Sequence, residues 1–418
     1  MIATIKGPRS IEGTVHLPGD KSISHRGLIL GAIASGESRL RGLSEGADVQ
    51  STAACLRMLG VEIEAGRVAG RGLHGLRHAG SALDCGNSGT TMRLLAGLLA
   101  AQDFESELVG DESLSKRPMD RVVEPLREMG ASVASSPLRV GGKTPLHGID
   151  YRPPIPSAQV KSALMLAGLY ADGETSVTET VRTRDHTEVM LQAMGAPVAT
   201  DGLRVAVRSA AHLQPLQMRV PGDFSAAAFW IVAASLVKGS DARLVGVGVN
   251  PTRTALADYL TTIGYRIERA NVHFEAHEPV ADLRIRPVQE LRPIHVDAPL
   301  AAQMIDELPV LAVAATLMEG TSVIAGAAEL RVKESDRLYA MEDGLRAMGA
   351  DITASEDGWV INGPRELEGA RVDSGGDHRV AMALAVAALL ADGKTEIEDA
   401  ECVDISYPGF FDDLERIT

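Results

Sequence analysis

A pattern that occurs six times along the chain limits the folds open to it more than any other feature. Each copy is a short run of polar or small residues followed at once by an almost wholly apolar segment, as in GDKSISHRGLILGAIA. The copies begin at residues 19, 86, 157, 222, 306 and 376. Regular repetition on this scale indicates an array of one supersecondary unit rather than a single irregular core.

Each copy continues in the same order. A Gly follows the apolar segment, then an alternating strand such as TSVIAG, then an amphipathic helix. In five copies this second helix ends at a Gly that opens another strand, in RMLGVEI, REMGASV, QAMGAPV, TTIGYRI and RAMGADI. Gly after the last turn is typical of a helix C-cap, and alternation is typical of a strand. The unit therefore reads as strand, helix, strand, helix and one or two further strands.

The first helix of each unit is apolar on nearly all sides, so it must be buried under sheet and beside its sister helices. A chain of 418 residues exceeds what one hydrophobic core usually holds. We therefore predict an α/β (α+β) protein of two similar domains, each built from three βαβαββ-type units around buried parallel helices.

Charge, aromatic content and cysteines exclude several classes of protein. The net charge is −15 and aromatic residues make up 3% of the chain, which argues against a nucleic-acid-binding surface. Cys55, Cys85 and Cys402 have no metal-type spacing and form no even-numbered disulfide framework, which fits a reducing compartment. No apolar run reaches the roughly 18 residues of a membrane span, and the N-terminus lacks a signal-peptide core. We expect a cytoplasmic protein with no membrane or nucleic-acid partner and no metal site.

Basic residues recur where helices are predicted to begin. Lys21 and His25, like Ser22 and Arg26, are four residues apart and share a helix face. First helices begin near Lys21, Arg26 and Arg379, and second helices near Arg117, Arg184, Arg253, Lys333 and Arg337. Each case alone is explained by a solvated first turn. A cation at a helix start interacts unfavourably with the helix dipole, at a cost of about a few tenths of a kcal/mol, unless an anion lies between them. Because this arrangement recurs, we predict a polyanionic small-molecule ligand.

Carboxylates and histidines stand at the same positions and are candidates for proton transfer. The carboxylates are Asp306, Glu307 and Glu334, and the histidines are His25, His186 and His378. A histidine titrates near neutral pH, but at a helix start it equally serves as a structural hydrogen-bonding group. Both roles stay open from the sequence. Phosphate-loop and dinucleotide-binding fingerprints are missing.

These motifs resemble those of the 5-enolpyruvylshikimate-3-phosphate synthase family, the 3-phosphoshikimate 1-carboxyvinyltransferases. The resemblance runs along essentially the whole chain and in the family's order, through LPGDKSISHR, GNSGTTMRL, SKRPMDR, SAQVKSALMLAGL, RDHTE, LRVKESDRL and DHRVAMA. Within the family, GDKS, SAQVK, RDHTE and NPTR match the second sequence class, which is often glyphosate-tolerant.

The resemblance implies a domain division that agrees with the six units. Residues 1–19 and 222–418 would form the first domain, with repeats four to six and the N-terminal strand. Residues 20–221 would form the second, with repeats one to three. The chain would cross near Pro18-Gly19 and Pro221-Gly222, and the substrates would bind between the domains.

The resemblance also implies ligands for both substrates, carried over position by position. Those for shikimate-3-phosphate are Lys21, Ser22, Arg26, Ser157, Ala158, Gln159, Arg184, Asp306 and Lys333. Those for phosphoenolpyruvate are Lys21, Gly89, Arg117, Gln159, Glu334, Arg337 and Arg379.

The implied reaction is addition followed by elimination, without cofactor or metal, in a cytoplasmic monomer of aromatic amino-acid biosynthesis. Asp306 would deprotonate the attacking 5-hydroxyl, and Glu334 or Lys21 would protonate the methylene carbon. One departure concerns the segment CVDISYP, residues 402–408, where many members carry a Lys that contacts phosphoenolpyruvate and this chain has none.

Three other functions compete with this reading. UDP-N-acetylglucosamine enolpyruvyl transferases share the fold but use a loop cysteine, and the matching loop here, GDESLSKR, has none. RNA-terminal phosphate cyclases share the repeat unit, and acidity with few aromatic residues argues against that function. A binding protein that has lost its activity is the third.

Overall fold

The structure, a computed structural model, describes residues 1–135, 137–141, 146–290 and 292–418. It divides into two compact units. Unit 1 consists of Met1–Pro18, Pro221–His273 and Pro279–Thr418, and unit 2 consists of Gly19–Val220 with Phe274–Glu278.

Fourteen α-helices and two 3₁₀ helices lie in the described residues. The 3₁₀ helices are Ala328–Val332 and Ala400–Ile405. The α-helices are α1 (Lys21–Ala32), α2 (Ala47–Met58), α3 (Gly89–Leu99), α4 (Glu112–Ser115), α5 (Asp120–Glu128), α6 (Ala158–Gly168), α7 (His186–Ala193), α8 (Phe224–Leu236), α9 (Ala255–Thr262), α10 (Ala298–Gln303), α11 (Leu308–Ala315), α12 (Arg337–Ala347), α13 (His378–Leu390) and α14 (Phe410–Ile417).

The strands are short, and most belong to sheets of three or four. In the described residues they are β1 (Ala3–Gly7), β2 (Glu12–His16), β3 (Glu37–Arg41), β4 (Glu62–Glu64), β5 (Arg67–Ala69), β6 (Leu83–Asp84), β7 (Glu105–Val109), β8 (Ser132–Ser135), β9 (Leu138–Gly141), β10 (Leu146–His147), β11 (Asp150–Tyr151), β12 (Ala171–Asp172), β13 (Glu174–Thr178), β14 (Val198–Asp201), β15 (Arg204–Arg208), β16 (Gln217–Arg219), β17 (Asp241–Gly248), β18 (Arg266–Glu275), β19 (Glu278–Arg286), β20 (His295–Val296), β21 (Gly320–Ile324), β22 (Asp351–Ala354), β23 (Trp359–Gly363), β24 (Arg371–Asp373) and β25 (Gly393–Glu398).

Unit 2 contains three four-stranded sheets of one design. Their strand orders are β16-β3-β5-β4, β6-β7-β9-β8 and β11-β13-β15-β14. In each, the leading strand runs parallel to the strand after the first helix, which then pairs antiparallel with a hairpin. The leading strand of the first sheet, β16, comes from the end of the unit rather than its beginning.

Unit 1 repeats this design with one change. Two sheets, β18-β19-β17-β2 and β20-β21-β23-β22, match those of unit 2, while the third has the order β1-β25-β24. The sixth repeat has no hairpin in its sheet. Strand β1 takes that place and pairs antiparallel with β25, from Ala3 opposite Ile397 to Gly7 opposite Gly393. The predicted α/β class with three repeats per unit is confirmed.

The first helices are buried, as their apolar sequences predict. In α8 every residue from Phe224 to Ser235 is buried, and α13 is buried from His378 to Leu389. Each unit has its own hydrophobic cluster around three such helices. No helix in the described part of the chain is long and apolar enough to cross a membrane.

Local signals at the helix ends also take the predicted form. The side chains of Asp20, Ser88, Ser157, Asp223 and Asp377 accept hydrogen bonds from the first-turn amides of α1, α3, α6, α8 and α13. The five Gly residues predicted to end second helices have φ between 78° and 103°, the left-handed region typical of a C-cap.

Candidate active site

The start of α1 in unit 2 carries two of the predicted cations. Lys21 is the first residue of the helix, and its Nζ forms an ion pair with Asp48, near the start of α2. The capping carboxylate of Asp20 accepts a hydrogen bond from the Ile23 amide at 2.8 Å. The ammonium group of Lys21 is therefore paired with a carboxylate of its own chain.

Arg26, one turn further along α1, is buried and fixed on three sides. Its Nε donates to Thr187 Oγ1 and its Nη2 to Ser162 Oγ, each at 2.7 Å, and its Nη1 donates to the Ser22 carbonyl at 3.0 Å. Burial lowers the pKa of Arg26 to about 10, so the guanidinium stays charged at neutral pH. Arg184 Nη1 donates to Ser22 Oγ at 3.4 Å, so these predicted ligands form one cluster.

The starts of α3 and α6 form a second cluster in unit 2. A Cβ atom placed on Gly89 would lie 3.2 Å from Arg93 Nη1 and 3.5 Å from Arg117 Nη1. Arg93 donates to the side-chain carbonyl of Gln159, whose Nε2 donates to Thr90 Oγ1 at 2.9 Å. Arg117 Nη2 donates to Asn87 Oδ1 at 2.6 Å. Two guanidinium groups therefore lie beside the positive end of a buried helix, an arrangement suited to an anion.

Arg337 organises the cluster in unit 1. It is buried, and its guanidinium contacts three carboxylates: Nε–Asp377 Oδ2 at 2.8 Å, Nη1–Asp306 Oδ1 at 3.4 Å and Nη2–Glu334 Oε2 at 2.5 Å. Burial alone would lower the pKa of Arg337, but the charges of Asp377, Glu334 and Asp306 outweigh burial and raise it. One guanidinium thus holds two of the predicted proton-transfer carboxylates side by side.

These two carboxylates remain accessible while their anchor is not. The side chains of Asp306 and Glu334 are 16% and 14% exposed, whereas that of Arg337 is 2% exposed. Lys333 Nζ lies 3.5 Å from Asp306 Oδ1. Arg379, in the first turn of α13, is buried, and its Nε has no hydrogen-bond partner among the described residues.

Glu307, the third predicted carboxylate, lies in a different environment. It is buried, accepts a hydrogen bond from Ser225 Oγ, and has Arg253 Nη1 at 3.8 Å from its Oε1. Arg253 also donates to Ser225 Oγ at 2.7 Å and Asp223 Oδ1 at 3.2 Å. This network fastens the start of α8 to the segment before α9.

The three candidate histidines are all buried. His25 Nδ1 lies 2.7 Å from Thr52 Oγ1, and burial, reinforced by the charges of Lys21 and Arg26, lowers the pKa of His25 well below its ordinary value. His186 Nδ1 lies 2.7 Å from Glu278 Oε1. These contacts fit the structural alternative for His25 and His186.

Sequence reasoning missed the carboxylates that hold the cations. Asp48 and Asp377 were not predicted as partners of Lys21 and Arg337, although Asp377 precedes an apolar helix as an N-cap should. It also assigned no role to Lys161, Glu179 and Glu188, which form a buried charged cluster. Lys161 ends the motif SAQVK and Glu188 ends RDHTE. A charged residue at the start of an apolar helix could therefore have indicated a buried ion pair.

The segment where family members carry a Lys is a 3₁₀ helix followed by a turn. Cys402 in it is half-buried, with Sγ 3.7 Å from Ser374 Oγ, and burial raises the pKa of Cys402 to about 12. A thiol has no cationic form, so Cys402 does not take the place of that Lys. Among the described residues, no group of three or more His, Cys, Asp or Glu side chains could hold a metal ion.

Comparison with known proteins places these clusters in a family context. The model of the EPSP synthase (3-phosphoshikimate 1-carboxyvinyltransferase) family matches residues 5–414. The 3-phosphoshikimate 1-carboxyvinyltransferase of Acidithiobacillus ferrooxidans is 52% identical over 96% of this chain and 94% of its own length. That of Pelotomaculum thermopropionicum is 50% identical over 98% and 97%.

Two solved structures resemble this chain along its whole length. The structure of EPSP synthase from Acinetobacter baumannii is 42% identical and covers 100% of this chain and 98% of its own, with a TM-score of 0.88. The enolpyruvyl transferase NikO from Streptomyces tendae covers 100% of this chain and 97% of its own at 17% identity, with a TM-score of 0.79. The second likeness is one of fold alone.

Proposed function

Because the chain belongs to the EPSP synthase family, we propose that the residues gathered at its helix starts bind and activate the two substrates of that family. The protein is a 3-phosphoshikimate 1-carboxyvinyltransferase: it transfers the enolpyruvyl group of phosphoenolpyruvate to shikimate-3-phosphate, a step of aromatic amino-acid biosynthesis. The contacts of its side chains support an assignment of each proposed residue to one of the two substrates or to proton transfer.

Shikimate-3-phosphate is assigned to the Lys21–Arg26–Arg184 cluster and the start of α6. Ser22 joins Arg26 to Arg184, and the hydroxyl and first amides at Ser157, Ala158 and Gln159 lie at the positive end of a buried helix. A phosphate dianion suits this combination of guanidinium groups and helix-start amides. Asp306 and Lys333, which lie close together in unit 1, complete the proposed set.

Phosphoenolpyruvate is assigned to the arginines. Arg117 lies beside Gly89 at the start of α3, where Arg93 also contacts Gln159, and Arg379 has a buried Nε that lacks an acceptor in the described residues. Guanidinium groups remain charged and hydrogen-bond two oxygens of a carboxylate or phosphate at once. Lys21, Glu334 and Arg337 complete this set.

The observation that carries the catalytic assignment is the joint anchoring of Asp306 and Glu334 on Arg337. Asp306 accepts the proton of the 5-hydroxyl as that oxygen bonds to C2 of phosphoenolpyruvate. Glu334 or Lys21 delivers a proton to C3, which becomes a methyl group. In the second step C3 loses a proton, the C2–C3 double bond forms again, and the C2–O bond to phosphate breaks.

The remaining proposals concern the protein as a whole. We place the enzyme in the cytoplasm as a monomer, with small-molecule substrates as its only partners. Its two domains are proposed to be residues 1–19 with 222–418 and residues 20–221, a division close to that of unit 1 and unit 2.

Phosphate release tests the proposal. The purified protein should release phosphate when shikimate-3-phosphate and phosphoenolpyruvate are both present, and neither compound alone should suffice. EDTA should leave the rate unchanged, since no proposed step uses a metal. Asp306→Asn should lower kcat by about a hundredfold or more. Release with UDP-N-acetylglucosamine in place of the shikimate, or normal turnover by Asp306→Asn, would contradict the assignment.

A further inference from the structure

Lys161 is a buried cation that the proposed steps do not use. It lies in the first turn of α6, and its side chain is 2% exposed. Its Nζ lies 2.8 Å from Glu179 Oε2 and 2.8 Å from Glu188 Oε1. Burial opposes the charge of Lys161, but the charges of Glu188 and Glu179 outweigh burial and raise the pKa of Lys161. Its ammonium group therefore forms ion pairs with two buried carboxylates.

The two carboxylates stand at opposite ends of one loop. Glu179 follows β13 directly, Glu188 lies in the first turn of α7, and residues 180–185 between them include Arg184. Glu179 also accepts hydrogen bonds from the Thr183 hydroxyl and, at 3.3 Å, from the Thr183 amide. Lys161 Nζ lies 3.5 Å from the Thr183 carbonyl. Both ends of the loop, and the residue before Arg184, thus meet one ammonium group.

A second set of contacts joins the same elements. Ser162, next to Lys161, lies 2.7 Å from Thr187 Oγ1, and both hydroxyls accept from Arg26. Glu188 raises the pKa of Arg26, against the larger lowering by burial. Lys161 and Arg26 are therefore linked through Ser162, Thr187 and Glu188, where α1, α6 and α7 meet.

We propose that Lys161 is a positioning residue for shikimate-3-phosphate: by joining Glu179 to Glu188 it holds the loop that presents Arg184 to Ser22 at the start of α1. A lysine at this site carries a desolvation cost that an apolar residue would not. In exchange, Lys161 holds Arg184 in position before shikimate-3-phosphate binds. A preformed site loses less conformational freedom on binding, so this should increase the affinity. This inference rests on the proposed role of Arg184.

A double-mutant cycle tests the proposal. Affinity for shikimate-3-phosphate is measured by titration calorimetry in the wild type, Lys161→Gln, Arg184→Ala and the double variant, together with kcat and both KM values. Lys161→Gln should weaken shikimate-3-phosphate binding by about tenfold or more while the KM for phosphoenolpyruvate changes less than about threefold. The double variant should bind only as weakly as Arg184→Ala, since Lys161 acts through Arg184.

A second variant keeps the test valid where Lys161→Gln does not fold. Lys161→Gln/Glu188→Gln removes one cation and one anion, so the charge of the cluster is unchanged, and the same loss of affinity is expected. Lys394→Gln is the matched control, because Lys394 forms an exposed ion pair with Glu396 in unit 1, and its binding should equal the wild type.

The outcomes separate the two claims. If Arg184→Ala weakens binding and Lys161→Gln multiplies that loss, Lys161 does not act through Arg184 and only the positioning role is overturned. If Lys161→Gln and Lys161→Gln/Glu188→Gln both bind shikimate-3-phosphate normally, the positioning role of Lys161 is again overturned, whereas the role of Arg184 is not. If Arg184→Ala binds normally, the proposed role of Arg184 and the inference built on it both fall.

Discussion

Arg337 and Arg379 were both predicted to bind phosphoenolpyruvate, but their surroundings differ. A guanidinium has five N–H donors, and Arg337 uses donors on all three of its nitrogens on carboxylates of its own chain. These contacts hold Asp306 and Glu334 in place and leave Arg337 fewer donors for its proposed contact with phosphoenolpyruvate. Arg379 keeps a buried Nε without a partner in the described residues, so it is better placed to hold a substrate anion.

Arg117→Ala separates binding of one substrate from binding of the other. If Arg117 makes the proposed charge-assisted contact to phosphoenolpyruvate, its loss should raise the activation free energy by about 2 to 4 kcal/mol, and kcat/KM for that substrate should fall on the order of thirty- to a thousand-fold. Affinity for shikimate-3-phosphate should barely change. The control is Lys116→Ala, one residue away, where the lysine is 72% exposed. Equal losses for both substrates would contradict the assignment.

Glu334→Gln tests proton transfer at a fixed shape. The amide keeps a hydrogen-bond acceptor for Arg337 but delivers no proton, so kcat should fall by about a hundredfold or more while both KM values stay within a few-fold. Glu342→Gln on α12 is the control, since Glu342 forms an ion pair with Arg346. Steady-state kinetics decide, and a wild-type kcat in Glu334→Gln would remove Glu334 from the mechanism.

His25 should make the protein less stable in acid. Because its pKa is lowered in the folded state, the unfolded chain takes up a proton below about pH 6.5 that the folded chain does not. The contribution of His25 to the free energy of unfolding should therefore fall as pH drops below about 6.5, by at most about 1.4 kcal/mol per pH unit, and stay level above it. Urea titrations of wild type and His25→Asn measure the difference, and equal slopes in the two proteins would refute this.

At the scale of elements, α3 and α6 pack with their backbones in contact. A Cβ atom on Gly97 would lie 2.2 Å from the Ala163 carbonyl oxygen and 2.6 Å from its Cα. Such distances are shorter than any real contact, so a side chain here would push the helices apart. Both helices carry proposed substrate ligands at their starts, so their spacing also sets the spacing of Gly89 and Gln159.

Gly97→Ala should therefore cost both stability and activity. Overpacking at this contact should lower the free energy of unfolding by about 1 to 3 kcal/mol, and the displaced helix starts should raise the KM for phosphoenolpyruvate. Gly141→Ala is the control, because among the described residues the nearest atom to its Cβ would be Ser132 Cβ at 3.6 Å. Urea unfolding and kinetics measure both effects, and a variant as stable as Gly141→Ala would show that the helices relax.

At the scale of the whole molecule, each unit has its own core, and their unfolding can be observed separately. Trp230 and Trp359 are the two tryptophans of the chain, and both are buried in unit 1. Tryptophan fluorescence therefore reports the unfolding of unit 1, whereas far-UV circular dichroism reports the helices and strands of both units.

Ile5→Ala should move the fluorescence transition more than the dichroism transition. Ile5 is buried in β1, which closes the last sheet of unit 1 against β25, and its truncation should cost about 2 to 5 kcal/mol. Lys6→Ala, at an exposed position of the same strand, is the control. Gly97→Ala in unit 2 should do the reverse and shift the dichroism alone. Coincident shifts of both probes in both variants would show a single cooperative transition instead.

The sequence by itself determined the repeat, the burial of the first helices and the caps at their ends, because these depend on residues within a few positions of one another. It also placed the cations Lys21, Arg117, Arg184 and Arg337 near helix starts, which indicated an anionic ligand. The family motifs carry the assignment of the reaction.

Only the tertiary structure decided which charges these cations meet. Lys21 pairs with Asp48, Arg337 with Asp377, and Lys161 with Glu179, over separations of 18 to 40 residues, and no local pattern encodes those pairs. The grouping of Phe274–Glu278 with unit 2 had no sequence signal either. Helix and strand patterns follow from neighbouring residues, but the partner of a buried charge depends on how the elements pack, and so the electrostatics of the site had to be read from the folded chain.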